Sequence, residues 1–510
     1  MKVLLSLLVF CASLAWAGPV PPSPFEKSAQ QALPSSQEIG AYLAVLDELS
    51  PRARLVELGK SAGGRPIEAL LMSNSDDFLT GFAPQQGKPT VMLLGSQHGN
   101  EPSSAEAIQL LARQLVMGEH HELLDKLNLV LVAMANPDGR DLSSRYNATM
   151  DNTNIDYVAL NAGETRLLVD ALHTFQPDVV YDAHESGIWK RILTKEQGYL
   201  TDVDAQFDMG NNPNIDGELR TYTEQYLLPA LLERVSTAGL PAVRYRGEIT
   251  DIKQSVARGG LGITNLRNYA AMQGRISILV ENRLDNKQGS YDSPRNIVER
   301  VRKQLLSMEQ MLRLIADEAD RVTRLSRQAR QRWRSAADDG QILWMGVGFE
   351  VNKHEPVVSL PLVRMEDGKR KMHSFSNHDA IAAEEPVKLA AAYGITREQA
   401  RMADWLRRHH ITFEVLEAPR RVTIERLVIE RLAVQPKARP GVREKLQAVV
   451  RTSPQSAELK AGDLLVPTDQ PMGPLAALML DPRSANSLYQ ESEWNWLAEG
   501  EFPVFPVITP

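Results

Sequence analysis

The sequence predicts an α/β protein carrying a second, smaller, mostly-β region at its C-terminal end. Three observations predict it. From about residue 36 to residue 300, short apolar runs bounded by turns or charges alternate with amphipathic helical patterns. From Gln341 onward, strand-like runs broken by Pro and Gly dominate. The 510-residue length exceeds what one typical core fills, so more than one domain is expected.

The N-terminus reads MKVLLSLLVFCASLAWAGPVPP. One Lys, an apolar stretch from Val3 to Leu14 and the small-residue pattern Ala15-Trp16-Ala17 form the three parts of a secretory signal peptide. Residues 1–17 are therefore expected to be removed, with cleavage after Ala17 and a periplasmic or extracellular destination. The run is shorter than the about 20 apolar residues that a membrane span needs, so no stable insertion is expected. Cys11, the chain's one cysteine, lies inside it. A cleaved chain has no thiol, which excludes a cysteine nucleophile and thiolate metal sites and leaves His, Asp and Glu as ligands. Residues 18–35 open with an extended Pro-rich linker.

Residues 36–337 carry the α/β pattern. PIEALLMS, TVMLLGS, LNLVLVAMAN, DVVYDAH and RISILVEN read as strands. SAEAIQLLARQL and TRLLVDALHTF repeat apolar residues at i, i+3 and i+4 and read as helices. Residues 294–337 form one long charged helical pattern. Its six arginines between Arg321 and Arg334 are interleaved with charge of the other sign nearby, at Glu318 and Asp320. With a net charge of −7, the run is a solvated helix face and no nucleic-acid partner is expected. In residues 341–510, ILWMGVGFEV, VVSLPLV, FEVLEAP, DLLVPTDQP and FPVFPVITP read as strands, interrupted by one helix, ITREQARMADWLRRH.

Four stretches carry chemistry. In LGSQHGNEP, His98 and Glu101 follow a strand and precede a helix, the edge at which open α/β sheets bind ligands. Imidazole and carboxylate suit zinc, but an isolated HxxE also fits a surface loop leading into an acidic helix start. In DVVYDAHES, His184 ends another strand, completing a His₂Glu set that leaves a fourth tetrahedral position open. In RISILVENR, Glu281 ends a third; a carboxylate there is suited to general-base work, or to an ion pair with Arg283. NPDGRDLSSRYN is a turn by composition, followed by Arg145, a candidate oxyanion stabiliser or an exposed loop cation.

In order and approximate spacing, HGNE, NPDG with Arg145-x-Asn147, DAHE and ILVENR resemble the zinc metallocarboxypeptidases, the carboxypeptidase A-like family. GKSAGGRPIEALLMS resembles the segment opening this domain in bacterial members. The match covers roughly residues 36 to 315, and the tail resembles a C-terminal β extension seen on some bacterial members. The resemblance implies a three-layer α/β/α sandwich around a mixed sheet of about eight strands. It implies one Zn2+ per chain held by His98, Glu101 and His184, with Glu281 as general base or acid and Arg145 on the oxyanion. It also implies peptide or peptide-like substrates.

One departure bears on specificity. Members that trim free C-termini carry an Asn-Arg pair in a stretch like DLNRDF. NTNIDY keeps Asn154, expected to bind substrate, but places Ile155 where the Arg would be, and an Ile cannot pair with a carboxylate. Asn152 stands at or beside an Asp that orients a zinc histidine. Tyr269 is a candidate for the family's substrate-capping tyrosine, or equally a tyrosine buried in the sheet. A zinc amidase or deacylase acting on cell-wall peptides or N-acyl amino acids is therefore the alternative, and a non-catalytic binding protein on the same fold a more distant one. Oligomeric state is not written in the sequence.

Overall fold

The computed structural model describes residues 20–30, 32–83, 87–284, 297–434 and 445–509. The expected signal peptide lies outside them. The first ten strands are β1 (Ala53–Lys60), β2 (Pro66–Met72), β3 (Thr90–Gly95), β4 (Asn128–Val132), β5 (Val179–Gly187), β6 (Tyr199–Thr201), β7 (Ala205–Met209), β8 (Ala242–Arg244), β9 (Ser255–Val256) and β10 (Ile276–Leu284). Eight of them form one mixed sheet in the order β1-β2-β4-β3-β5-β10-β7-β8. β4, β3, β5 and β10 are parallel; β1, β2 and β7 join antiparallel.

The central strands are apolar runs because both faces are covered. In β3, Met92 and Leu94 enter one core with the helix Gly163–Phe175, while Val91 and Leu93 enter the other with Ser36–Leu49, Ser103–Met117 and Ile297–Asp317. The period of two thus sorts one strand into two cores, and the expected three-layer sandwich with eight strands is what forms. Each such fully buried aliphatic side chain contributes about 1.5–3 kcal/mol.

Two readings change. The single helix expected over 294–337 is two, Ile297–Asp317 and Ala319–Ser335. The break falls at Glu318, whose carboxylate accepts hydrogen bonds from the Tyr222 and Tyr226 hydroxyls at 3.2 and 2.8 Å. Of its arginines, Arg321, Arg324, Arg327 and Arg334 are exposed as expected, while the half-buried Arg332 grips Asp216 at 2.6 and 2.7 Å and Arg330 bonds Asp178.

Beyond residue 341 the chain is mostly β, as expected. β11 (Ile342–Glu350) pairs with β14 (Ala380–Lys388) around a hairpin of β12 (Val357–Arg364) and β13 (Arg370–Asn377). A further sheet spans residues 392–509, and its longest pairing joins Arg420–Val434 to Leu446–Leu459. FEVLEAP yields only the two-residue strand Glu414–Val415. The two regions share a core. Tyr157 and Tyr269 of the first pack in one apolar cluster with Trp405, Trp494 and Trp496 of the second, and the Trp405 indole donates to the Val158 carbonyl at 2.9 Å.

Candidate metal centre

β3, β5 and β10 run parallel side by side, so their C-terminal ends reach one edge of the sheet. His98 lies just past β3, His184 is in β5, and Glu281 is in β10, directly opposite His184 in the strand register. After β3 the chain turns sharply at Ser96, whose φ of 52° is left-handed. A hydrogen bond from the Glu101 amide to the His98 carbonyl, 3.0 Å, then closes the turn. Gly99 lies against the segment 136–140. A Cβ there would stand 1.9 Å from the Gly139 carbonyl carbon, so only glycine fits.

This turn brings His98, Glu101 and His184 together, all buried. One ligand atom from each lies within 4.8 Å of the others. His184 Nδ1 is 2.8 Å from Glu101 Oε2 and 3.1 Å from His98 Nδ1, and His98 Nδ1 is 2.9 Å from Glu101 Oε1. Each Nε2 faces away from this centre: that of His98 is 3.3 Å from Asn152 Oδ1, and that of His184 is 3.1 Å from Asp182 Oδ1. Outward partners of this kind fix the tautomer that leaves Nδ1 as ligand, so the donor set fits a zinc ion. Asp182 is held in turn by Gln97 at 2.7 Å, and Gln97 by the Tyr157 hydroxyl at 2.9 Å.

The charges agree with the geometry. Burial opposes ionisation of Glu101, yet His98 and His184 hold its carboxyl well below the usual range. Burial likewise opposes a charged His184, but Asp182 and Glu101 raise its pKa well above the usual imidazole value. His98 is lowered by burial, against the pull of Glu101. Glu281 is pushed up to about 8 by loss of solvent; Glu101 and Glu248 add to the rise, while His184 and Arg145 oppose it.

Arg145 is half exposed at the rim, 3.3 Å from Glu101 Oε1. Asn154 reaches the cleft, with Nδ2 3.4 Å from His184 Nε2. Ile155 is 58% exposed beside it. Tyr269 is a correction. It is fully buried in the short helix Leu266–Ala271, and its hydroxyl lies 2.9 Å from His409 Nδ1, so it cannot cap a substrate. NPDG is also more than a turn: Asn136 caps the helix Pro137–Leu142 by accepting from the Gly139 amide.

The sequence reading missed several supporting residues. Asp182 had a signal, since two residues before His184 on a strand is the same face. Glu185 had none: it forms a buried pair with Arg300, 115 positions away, at 2.6 and 2.9 Å, and accepts from the Ser103 amide at 3.1 Å.

The fold and site define a class, an α/β/α sandwich with a candidate His₂Glu metal triad at the ends of its central strands. Residues 39–167 match the family model described as zinc carboxypeptidase. The probable carboxypeptidase 2 of Arthroderma benhamiae is 25% identical over 284 residues, 55% of this chain and 52% of that protein. Carboxypeptidase E of Caenorhabditis elegans is 31% identical over 113 residues, 21% of this chain and 23% of that protein. A solved metallo-carboxypeptidase from Burkholderia cenocepacia aligns with 55% of this chain and 69% of its own, at 19% identity and a TM-score of 0.42. Over its first region the chain is thus similar to zinc carboxypeptidases. The chain spans about half the length of the carboxypeptidase 2 relatives it matches.

Proposed function

We propose that residues 36–337 form a zinc-dependent hydrolase domain that cleaves amide bonds of peptides as a metallocarboxypeptidase. The observation that carries this is the convergence of His98, Glu101 and His184, with Glu281 beside His184 in the register. A zinc ion held by that triad would supply Lewis acidity toward the scissile carbonyl and a water nucleophile available at neutral pH. Glu281 takes the proton from the attacking water at its carboxylate and hands it to the leaving amine. Burial raises its pKa to about 8, and a dication held by the triad would lower it. Arg145 points its guanidinium toward the triad and stabilises the developing oxyanion. Asn154 orients the substrate.

The first experiment combines zinc analysis with product analysis. The zinc-loaded chain is incubated with a peptide pool, free and C-terminally amidated, and products are read by mass spectrometry. Glu281→Gln is expected to keep zinc and lose turnover by several orders of magnitude; normal activity in that variant would sink the assignment. Loss of single C-terminal residues from free acids alone supports a carboxypeptidase.

A second reading rests on Ile155, which offers no cation to a terminal carboxylate. Equal rates on acids and amides would favour a zinc amidase or deacylase. Export follows from the N-terminal motif, with the mature chain starting at Gly18; N-terminal sequencing of the exported protein checks this. No helix among the described residues is long and apolar enough to cross a membrane.

A further inference from the structure

Next to the metal centre lies a cavity of about 180 Å³ whose walls come from both regions of the chain. The first region supplies Ser186 and Gly187, which continue β5 past His184, and Gln206, which stands opposite Glu281 in the pairing of β7 with β10. The loop after β8 supplies Glu248, whose charge is felt at Glu281. The far wall is Val358, Leu360 and Pro361 of β12.

This hairpin is built into the first region. β12 pairs with β6, Leu362 opposite Thr201 and Arg364 opposite Tyr199. β13 pairs with β9 through Ser376 and Asn377. Arg246, beside the cavity, is hydrogen-bonded to Asp379, just past β13. Leu362 and Phe375 share a small buried cluster with Leu193, Ile249 and Val256, against which Val358 and Leu360 pack. Fixed at both edges, the hairpin is a rigid wall.

We infer that the hairpin β12–β13 is a specificity element of the site, and that an apolar side chain of the substrate packs against Val358, Leu360 and Pro361. The inference rests on the peptide-hydrolase reading above. Aliphatic groups dominate the cavity: Val203, Val243 and Ile249 face the three hairpin residues. Its cations already have partners. Lys190 is 3.2 Å from Glu248, Arg244 is 3.2 Å from Glu224, and Arg246 holds Asp379. Burying an apolar substrate group here removes its surface from water without unpairing a charge.

The test uses the full zinc-loaded chain and two series of N-benzoylated dipeptides, varying the C-terminal or the penultimate residue through Ala, Leu, Phe and Glu. Val358→Trp fills the cavity from the hairpin side; Leu360→Ala enlarges it. Ser359→Trp, at an exposed position of β12 outside the cavity lining, is the control. In one series Val358→Trp is expected to lower kcat/KM for Leu and Phe about tenfold or more relative to Ala. Leu360→Ala should shift preference toward Phe, and Ser359→Trp should change nothing. The affected series tells which side of the scissile bond the cavity holds. An unchanged ranking in both cavity variants, or the same change in Ser359→Trp, overturns the inference. Should the wild-type chain hydrolyse neither series, the peptidase reading fails and calorimetric binding of the same dipeptides decides. Tighter binding of the Phe compound that Val358→Trp removes sustains the pocket; no binding of any of them overturns it.

Discussion

At His184 two carboxylates compete for one imidazole. Glu101 faces Nδ1 and Asp182 faces Nε2, at 2.8 and 3.1 Å, and against the effect of burial they raise its pKa well above the usual imidazole value. A zinc ion must displace the Nδ1 proton, so affinity should rise with pH through neutrality and binding should release protons. Asp182 fixes the ring that does this. Asp182→Asn is expected to lower zinc affinity about 10–100-fold with the fold intact. Calorimetry in buffers of different ionisation enthalpy measures both quantities; wild-type affinity in Asp182→Asn would remove Asp182 from this role. The candidates His98, Glu101, His184 and Glu281 stood out because each lies at or shortly after the end of an apolar run, and strand ends gather at one sheet edge. The role of Tyr269 stayed open because its partner, His409, lies 140 positions on. No local pattern announces such a contact.

The elements around the site depend on one close approach. The β3 turn and the helix Pro137–Leu142 meet with no room for a side chain at position 99. Gly99→Ala would force backbone against backbone, which flexible side chains cannot relieve. A loss of about 1–3 kcal/mol is expected, together with weaker zinc binding as His98 shifts. Urea unfolding and zinc titration check this; an unperturbed variant would show that the segments move apart freely. The NPDG stretch shows why local reading stops short here. Asn, Pro, Asp and Gly serve turns and helix starts alike, and only the cap from Asn136 to the Gly139 amide decides between them. The long strand Arg420–Val434 was equally hidden. A register shift between Ile429 and Arg431 breaks the alternation that would have marked it.

Across the whole molecule the two regions are joined by buried polar contacts. His409, just past the helix Gln399–Arg408, is buried, with Nδ1 2.9 Å from the Tyr269 hydroxyl and Nε2 3.1 Å from the Val158 carbonyl. That arrangement suits a neutral ring, with Nε2–H donating and Nδ1 accepting. Burial lowers its pKa to about 3, outweighing the support of the Val158 carbonyl. The unfolded chain takes up this proton near pH 6.5 and the folded chain only near 3, so stability is full above about 6.5 and is lost as pH falls. The loss approaches about 1.4 kcal/mol per pH unit in that window. Urea midpoints between pH 7 and 5 should show this slope for the wild type and less of it for His409→Gln. Equal slopes would place the proton uptake elsewhere. Trp494 and Trp496 are buried packing residues of the same core.

By itself the sequence determined the α/β class and the mostly-β character of the tail, and it singled out the candidate metal ligands and the candidate base. Each is set by residues close in the chain: an apolar period, a ligand at a strand end, a break at Pro or Gly. Only the tertiary structure decided what depends on distant segments meeting. It buried Tyr269 against His409, paired Glu185 with Arg300, and laid residues 357–377 along the cleft. Those contacts follow from packing two regions into one core, where the partner of a residue is chosen by shape and burial rather than by its neighbours in sequence.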